Sequence, residues 1–220
     1  MNKRAMGFSP GKKSFGLYQL EIVLDGTKPP VWRRLLVRGD AGLGLLHAVF
    51  QVAMGWTNSH LHHFIIGRER YTDLTTIEEP NFGPFSDHDE AKTTLAEAVP
   101  REKTRFLYEY DFGDSWEHLI TVEKIHEPDA ASKGFAKCLD GSRACPPDDC
   151  GGAGGYADLL EVIRDPKHEE HESMMEWLGG KFDPEAFDIK KANTYLRKLK
   201  WPRTTDGQLA AVLMERDGIS

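Results

Sequence analysis

The run Tyr108-Glu109-Tyr110-Asp111-Phe112-Gly113-Asp114-Ser115-Trp116-Glu117-His118 constrains the fold of this chain more than any other stretch. Aromatic residues at 108, 110 and 112 alternate with polar ones, the period of a strand with one buried face. Gly113 and Asp114 then interrupt the alternation with residues that tolerate positive φ, as a tight hairpin requires. A second strand, Trp116 to Ile125, leaves the turn. With Gly113-Asp114 as the whole loop, the opposed pairs are Phe112/Ser115, Asp111/Trp116, Tyr110/Glu117 and Glu109/His118. This register predicts that Glu109, Asp111, Trp116 and His118 share one face near the tip. Tyr108, Tyr110 and Phe112 form the opposite, buried ladder.

The rest of the chain supplies a frame for that hairpin. Leu17 to Leu24 alternates as a strand, and Pro29-Pro30 forces an extended entry into a second strand, Val31 to Arg38. Leu45 to Met54 carries apolar residues at helical spacing over most of its circumference, so it is expected to be buried against the sheet, with Gly55 as its stop. His47 and Gln51, four apart, form its polar edge. Leu61 to Ile66 reads as a third strand, Thr72 to Asp89 as a surface loop and Glu90 to Val99 as a short helix. Residues 128–155 lack periodicity and collect Cys, Pro and Gly, which suggests a long structured loop. Helical patterns follow over Tyr156–Arg164, Glu169–Leu178, Asp188–Leu199 and Asp206–Arg216.

Strands joined by hairpins and followed by helices give an α+β class, a largely antiparallel sheet packed by a buried helix with a helical C-terminal part. The expected divisions are a basic tail over 1–16, a sheet core over 17–127, the loop over 128–155, and helices over 156–220 of the same domain.

The 220 residues carry 28 Lys and Arg against 35 Asp and Glu, a net charge of −7. This disfavours nonspecific nucleic-acid binding, which needs clustered cations. No apolar run is long enough to span a bilayer, and no apolar core follows Lys3, Arg4, Lys12 and Lys13, so a cytoplasmic protein is expected. Three cysteines, Cys138, Cys145 and Cys150, sit too close together for a secreted disulfide scaffold and are expected to be reduced.

Several ordered motifs carry a family resemblance. Pro30-Val31-Trp32-Arg33-Arg34, Leu46-His47, Met54-Gly55-Trp56, His60-Leu61-His62-His63-Phe64, the Tyr108–His118 run and Cys145-Pro146-Pro147-Asp148-Asp149-Cys150-Gly151-Gly152 together resemble the plasmid pRiA4b ORF-3-like family, from about Tyr18 to Leu199. One departure is the Asp148-Asp149 pair, where the family more often has Glu-Asp. The resemblance implies an α+β domain and brings no established activity. Some relatives carry a mobile-element passenger label, which reflects genomic company.

Two groups of residues are candidates for chemistry. His60, His62, Glu109, Asp111, Asp114, Trp116 and His118 gather carboxylates, imidazoles and an indole near the hairpin tip. These are ligand types for a divalent metal, but without a tight His-x-x-x-His spacing that forces coordination. The plainer alternative makes His62 and His118 half-buried strand residues bonded to carboxylates such as Glu109. The second group is the cysteine loop, Cys145, Asp148, Asp149 and Cys150. Its glycines lack the Lys-Ser/Thr of a phosphate loop, and its acids would repel an anion, so a rigid structural loop or a thiolate metal site are its readings. Ser115 and His118 face opposite sides of a strand, which argues against a nucleophile pair.

These observations point first to a soluble module that binds a small ligand or protein partner at the hairpin tip. The alternatives are a metal-dependent hydrolase using His60, His62, Asp111, Asp114 and His118, with nucleic acid among its conceivable substrates, and a mobile-element accessory protein. No motif names a cofactor or a metal.

Overall fold

The computed structural model describes residues 15–76, 84–127 and 134–218. The expected basic tail lies almost wholly outside these residues, as do parts of the two expected loops. The class is α+β. An eight-stranded sheet has the order β5-β4-β3-β6-β7-β1-β2-β8, antiparallel throughout except for β4 against β5. Its strands are β1 (Leu17–Leu24), β2 (Val31–Arg38), β3 (His62–Ile66), β4 (Glu69–Thr72), β5 (Ser86–Asp89), β6 (Arg105–Tyr110), β7 (Trp116–His126) and β8 (Ala136–Ser142).

Strict alternation in the sequence becomes strict alternation of burial. Leu20, Ile22 and Leu24 of β1, Val31, Leu35 and Val37 of β2 and Ile120 and Val122 of β7 all turn to one face. Against that face lies α1 (Leu43–Met54), buried along all but Gly44, as an apolar circumference requires. His47 and Gln51, the expected polar edge, are buried too, because the β6 residue Tyr108 meets them with its hydroxyl.

Beyond the sheet core come α2 (Leu95–Ala98), α3 (Gly152–Arg164), α4 (His171–Trp177), α5 (Ile189–Leu196) and α6 (Asp206–Asp217). The Asn193 side chain of α5 bonds both the N–H and the C=O of Cys138 and so fixes α5 to β8. Arg216 of α6 donates to the carbonyls of Gln51 and Gly55, satisfying the C-terminal end of α1.

Some local expectations differ from the structure. The segment expected as a loop over 128–155 contains edge strand β8 and the first turn of α3. Thr72–Asp89, also expected as loop, ends in β5, which pairs parallel to β4. Glu90–Val99, expected as one helix, is a 3-10 turn (Glu90–Lys92) followed by the single turn of α2, capped by Thr94 and Glu97. In each case pairing with a distant strand or a local cap outweighs the weak local signal.

Candidate functional site

The hairpin between β6 and β7 does not turn on two residues. Tyr110 opposes Trp116, Glu109 opposes Glu117 and Tyr108 opposes His118, leaving residues 111–115 in the loop. Asp111 has φ 60° and Ser115 φ 50°. Asp tolerates this left-handed region better than most residues. The Asp111 carboxylate accepts from the N–H groups of Gly113 (2.9 Å) and Asp114 (3.4 Å), and its carbonyl accepts from Ser115 N at 2.7 Å. An Asx turn has replaced the expected two-residue turn.

The face assignment changes as a result. Trp116 and His118 join Tyr108 and Tyr110 on the buried face, whereas Glu109 points outward opposite Glu117. Phe112, expected in the buried ladder, is exposed, its ring centroid 4.9 Å from that of His63. His118 is fully buried. Its Nε2 accepts from the Trp56 indole, its Nδ1 bonds backbone carbonyls, and burial lowers its pKa to about 4. Trp116 packs at 5.2 Å from Trp56. Both are core.

His62 is also withdrawn from the tip. Its ring stacks on His47 at 3.5 Å, and its Nε2 meets Glu90 at 2.8 Å. Burial lowers the His62 pKa to about 4 and raises that of Glu90 to about 7. Glu109 Oε2 lies instead 3.0 Å from His63 Nε2, without a hydrogen bond between them. Of the two histidines expected to bond carboxylates, His62 meets Glu90, whereas His118 is fully buried and meets an indole and backbone carbonyls instead.

What remains at the tip is a smaller group drawn from three segments. His60 Nε2 lies 3.5 Å from Asp111 Oδ2 and 3.3 Å from Asp149 Oδ1, and all three atoms fall within 4.8 Å of one another. The imidazole nitrogen is buried, yet it makes a hydrogen bond to neither carboxylate. Asp111 is itself buried, and Asp149 is mostly exposed.

Local structure aims each of these groups. Asn58, at φ 58°, donates its N–H to Gln51 Oε1, and Ser59 donates its N–H to the Tyr110 hydroxyl, so the loop before His60 is fixed to α1 and β6. Asp149, at φ 59°, precedes Gly151 and Gly152 at φ 88° and 67°. A Cβ on Gly152 would come 2.4 Å from the Asp114 carbonyl oxygen, so only glycine lets α3 approach the hairpin this closely. Asp114 Oδ2 accepts from Gly151 N at 3.1 Å and so satisfies the start of α3. Asp114 therefore latches the cysteine loop to the tip and does not point at His60.

The cysteine loop contributes acids and walls. Cys138, Cys145 and Cys150 are free thiols, and burial raises the pKa of all three, to about 11 at Cys138 and about 12 at Cys150. Asp148 accepts a short bond from the Thr57 hydroxyl, leaves its other oxygen buried without a partner, and is pushed above the usual carboxylate range by burial.

Two cavities, about 270 and 330 Å³, flank this loop. Asp149 and Cys150 border the first, with Met174 and Leu159. Thr57 and Asp148 border the second, with Leu178 and Phe182. Trp177 of α4, 51% exposed, lines both. In the sequence Asp149 stands far from His60, and Trp177 belongs to neither candidate group. A large aromatic three residues from Met174 on a short helix is the available signal.

Residues 16–191 match the model of the plasmid pRiA4b ORF-3-like protein family. The uncharacterized protein y4hQ of Sinorhizobium fredii (strain NBRC 101917 / NGR234) is 38% identical over 192 residues, covering 84% of this chain and 94% of that protein. A crystal structure of a protein of unknown function, MM3350 from Methanosarcina mazei Go1, is similar with a TM-score of 0.69 and 33% identity, over 81% of this chain and 98% of the other.

Proposed function

The chain belongs to the plasmid pRiA4b ORF-3-like family, and on that premise we propose that it is a ligand-binding module whose hairpin tip holds a divalent cation through His60, Asp111 and Asp149. The organic part of its ligand lies in the cavities beside Trp177. One observation carries the reading: an imidazole nitrogen 3.3 and 3.5 Å from two carboxylate oxygens and hydrogen-bonded to neither. Ligand atoms about 2.1 Å from a zinc-sized ion at a tetrahedral angle are about 3.4 Å apart. One nitrogen and two oxygens suit zinc or manganese better than calcium, which prefers an all-oxygen shell. Three protein ligands leave a coordination position for a ligand or water. The adjoining walls are apolar with few polar groups, as small-molecule sites are.

Titration calorimetry of the chelator-treated chain with Zn²⁺ and Mn²⁺ tests the reading. One site is expected, lost in His60→Ala and Asp149→Ala and kept in His168→Ala, which alters an exposed histidine of another segment. Absence of binding to the unaltered chain overturns the reading.

A metal-dependent hydrolase is a second reading, favoured by Asp148. Its raised pKa and unpartnered oxygen suit a proton acceptor for a cation-bound water. Metal-dependent cleavage of a nitrophenyl ester or phosphodiester, lost in Asp148→Asn while cation binding persists, is the expected signature. Lack of turnover across both substrates with metal bound leaves the binding module alone.

A further inference from the structure

The sheet face turned away from α1 carries an apolar row that crosses five strands. Ile65 opposes Leu107, Leu107 opposes Leu119, Leu119 opposes Val23 and Val23 opposes Trp32. With strands about 4.8 Å apart, the row runs roughly 19 Å. Each member alternates with core residues such as Phe64, Tyr108, Ile120 and Ile22, so all five point outward. Leu119 is 41% exposed, and the other four are half-buried among the described residues. Outward positions of a one-sided antiparallel sheet are ordinarily polar. A continuous apolar row there marks an interaction surface.

The charged rows beside it differ in sign. On the hairpin-tip side lie His63, Glu109 and Glu117, with the two glutamates directly opposed. Like charges facing each other across a ladder are destabilising, and Glu117 raises the pKa of Glu109 further above what burial does. On the other side lie Arg105, Thr121, Glu21 and Arg34. Glu21 is already paired with Arg34 at 3.0 Å, whereas Arg105 is exposed.

We infer that this face is the interface with a second copy of the chain, related by a two-fold axis running along the Ile65–Trp32 row. A half-turn about that axis lays the row on itself and exchanges the two flanks. Glu109 of each copy then stands over Arg105 of the other, because both lie on β6, two residues either side of Leu107. Such an isologous contact uses one self-complementary patch twice, and the strands cross in the aligned manner of stacked sheets. His60, Asp111 and Asp149 lie in neither the row nor its flanks, so this interface is independent of the cation proposed above.

Sedimentation of the full chain over a concentration series tests the inference. The expected mass is twice that of one chain, with Leu107→Lys and Leu119→Lys each reduced to monomer while keeping the circular dichroism of the unaltered protein. Arg105→Glu should also dissociate, and the pair Arg105→Glu with Glu109→Arg should restore the dimer. His60→Ala should leave the mass unchanged. A monomer at every concentration, a dimer indifferent to Leu119→Lys, or a charge-swapped pair that stays monomeric would overturn the proposed interface.

Discussion

The indole N–H of Trp56 donates to His118 Nε2 at 3.0 Å, and both rings are buried. An indole can only donate, so Nε2 must carry the lone pair and Nδ1 the proton, which goes to the carbonyl of Trp116 at 2.9 Å. His118 is therefore a neutral core group whose basic nitrogen is already used. This is why a histidine adjoining the hairpin tip takes no part in the proposed cation site.

A pH dependence follows from this imidazole and its neighbours. Burial lowers His118 and His62 to about 4 and His47 to about 3, from 6.5 in the unfolded chain. Below pH 6.5 the unfolded state therefore binds protons that the native state refuses, and stability falls as pH falls from about 6.5 towards 4. Glu90, raised from 4.5 to about 7, acts in the opposite sense, as do Glu109 and Asp148, whereas His63, also lowered to about 4, adds to the three imidazoles. Urea midpoints should be clearly lower at pH 5 than at pH 7. Equal midpoints would mean these imidazoles are not held neutral.

The two tip aspartates should separate structure from binding. Asp111→Asn keeps an acceptor oxygen for Gly113 N and a residue type that tolerates φ 60°, so it should melt close to the unaltered protein. It should nevertheless lose most of the Zn²⁺- or Mn²⁺-dependent rise in melting temperature. Asp114→Ala removes the acceptor for Gly151 N at the start of α3 and should cost about 1 kcal/mol with or without metal. If the two variants respond alike to metal, the division of roles is wrong.

Tyr110 tests the buried ladder. It is fully buried, packs 5.1 Å from Trp56 and accepts from Ser59 N through its hydroxyl. Tyr110→Ala should cost about 3 kcal/mol or more, in the range of large core truncations. Denaturation showing a loss of only a few tenths would place the ring at the surface.

Arg33 is the least replaceable polar residue of the core. It is buried and donates to five carbonyls, those of Trp32, Ala53, Met54, Ser142 and Arg143, under the ring of Phe187. Burial lowers its pKa to about 10, so it stays charged at neutral pH. Lysine cannot reproduce the planar fork. Both Arg33→Lys and Arg33→Met should cost about 3 kcal/mol or more, because several buried carbonyls lose their donors together. A well-folded Arg33→Lys of ordinary stability would refute this account.

The α+β class, β1, β2, β7 and the buried helix were legible in the sequence. Each of these rests on a period of 2 or 3.6 residues or on a local stop signal, and such patterns are written within a few neighbouring positions. Which residues share a face across the hairpin is fixed by the packed fold. That depends on loop length, and a one-residue difference in register moves Trp116 and His118 from the polar side to the core. The same holds for the gathering of His60, Asp111 and Asp149, which come from three distant segments. No local pattern encodes their approach. It is set by Gln51 and Tyr110 fixing one loop, the Asx turn shaping another, and the absent side chain of Gly152 letting α3 close against the tip.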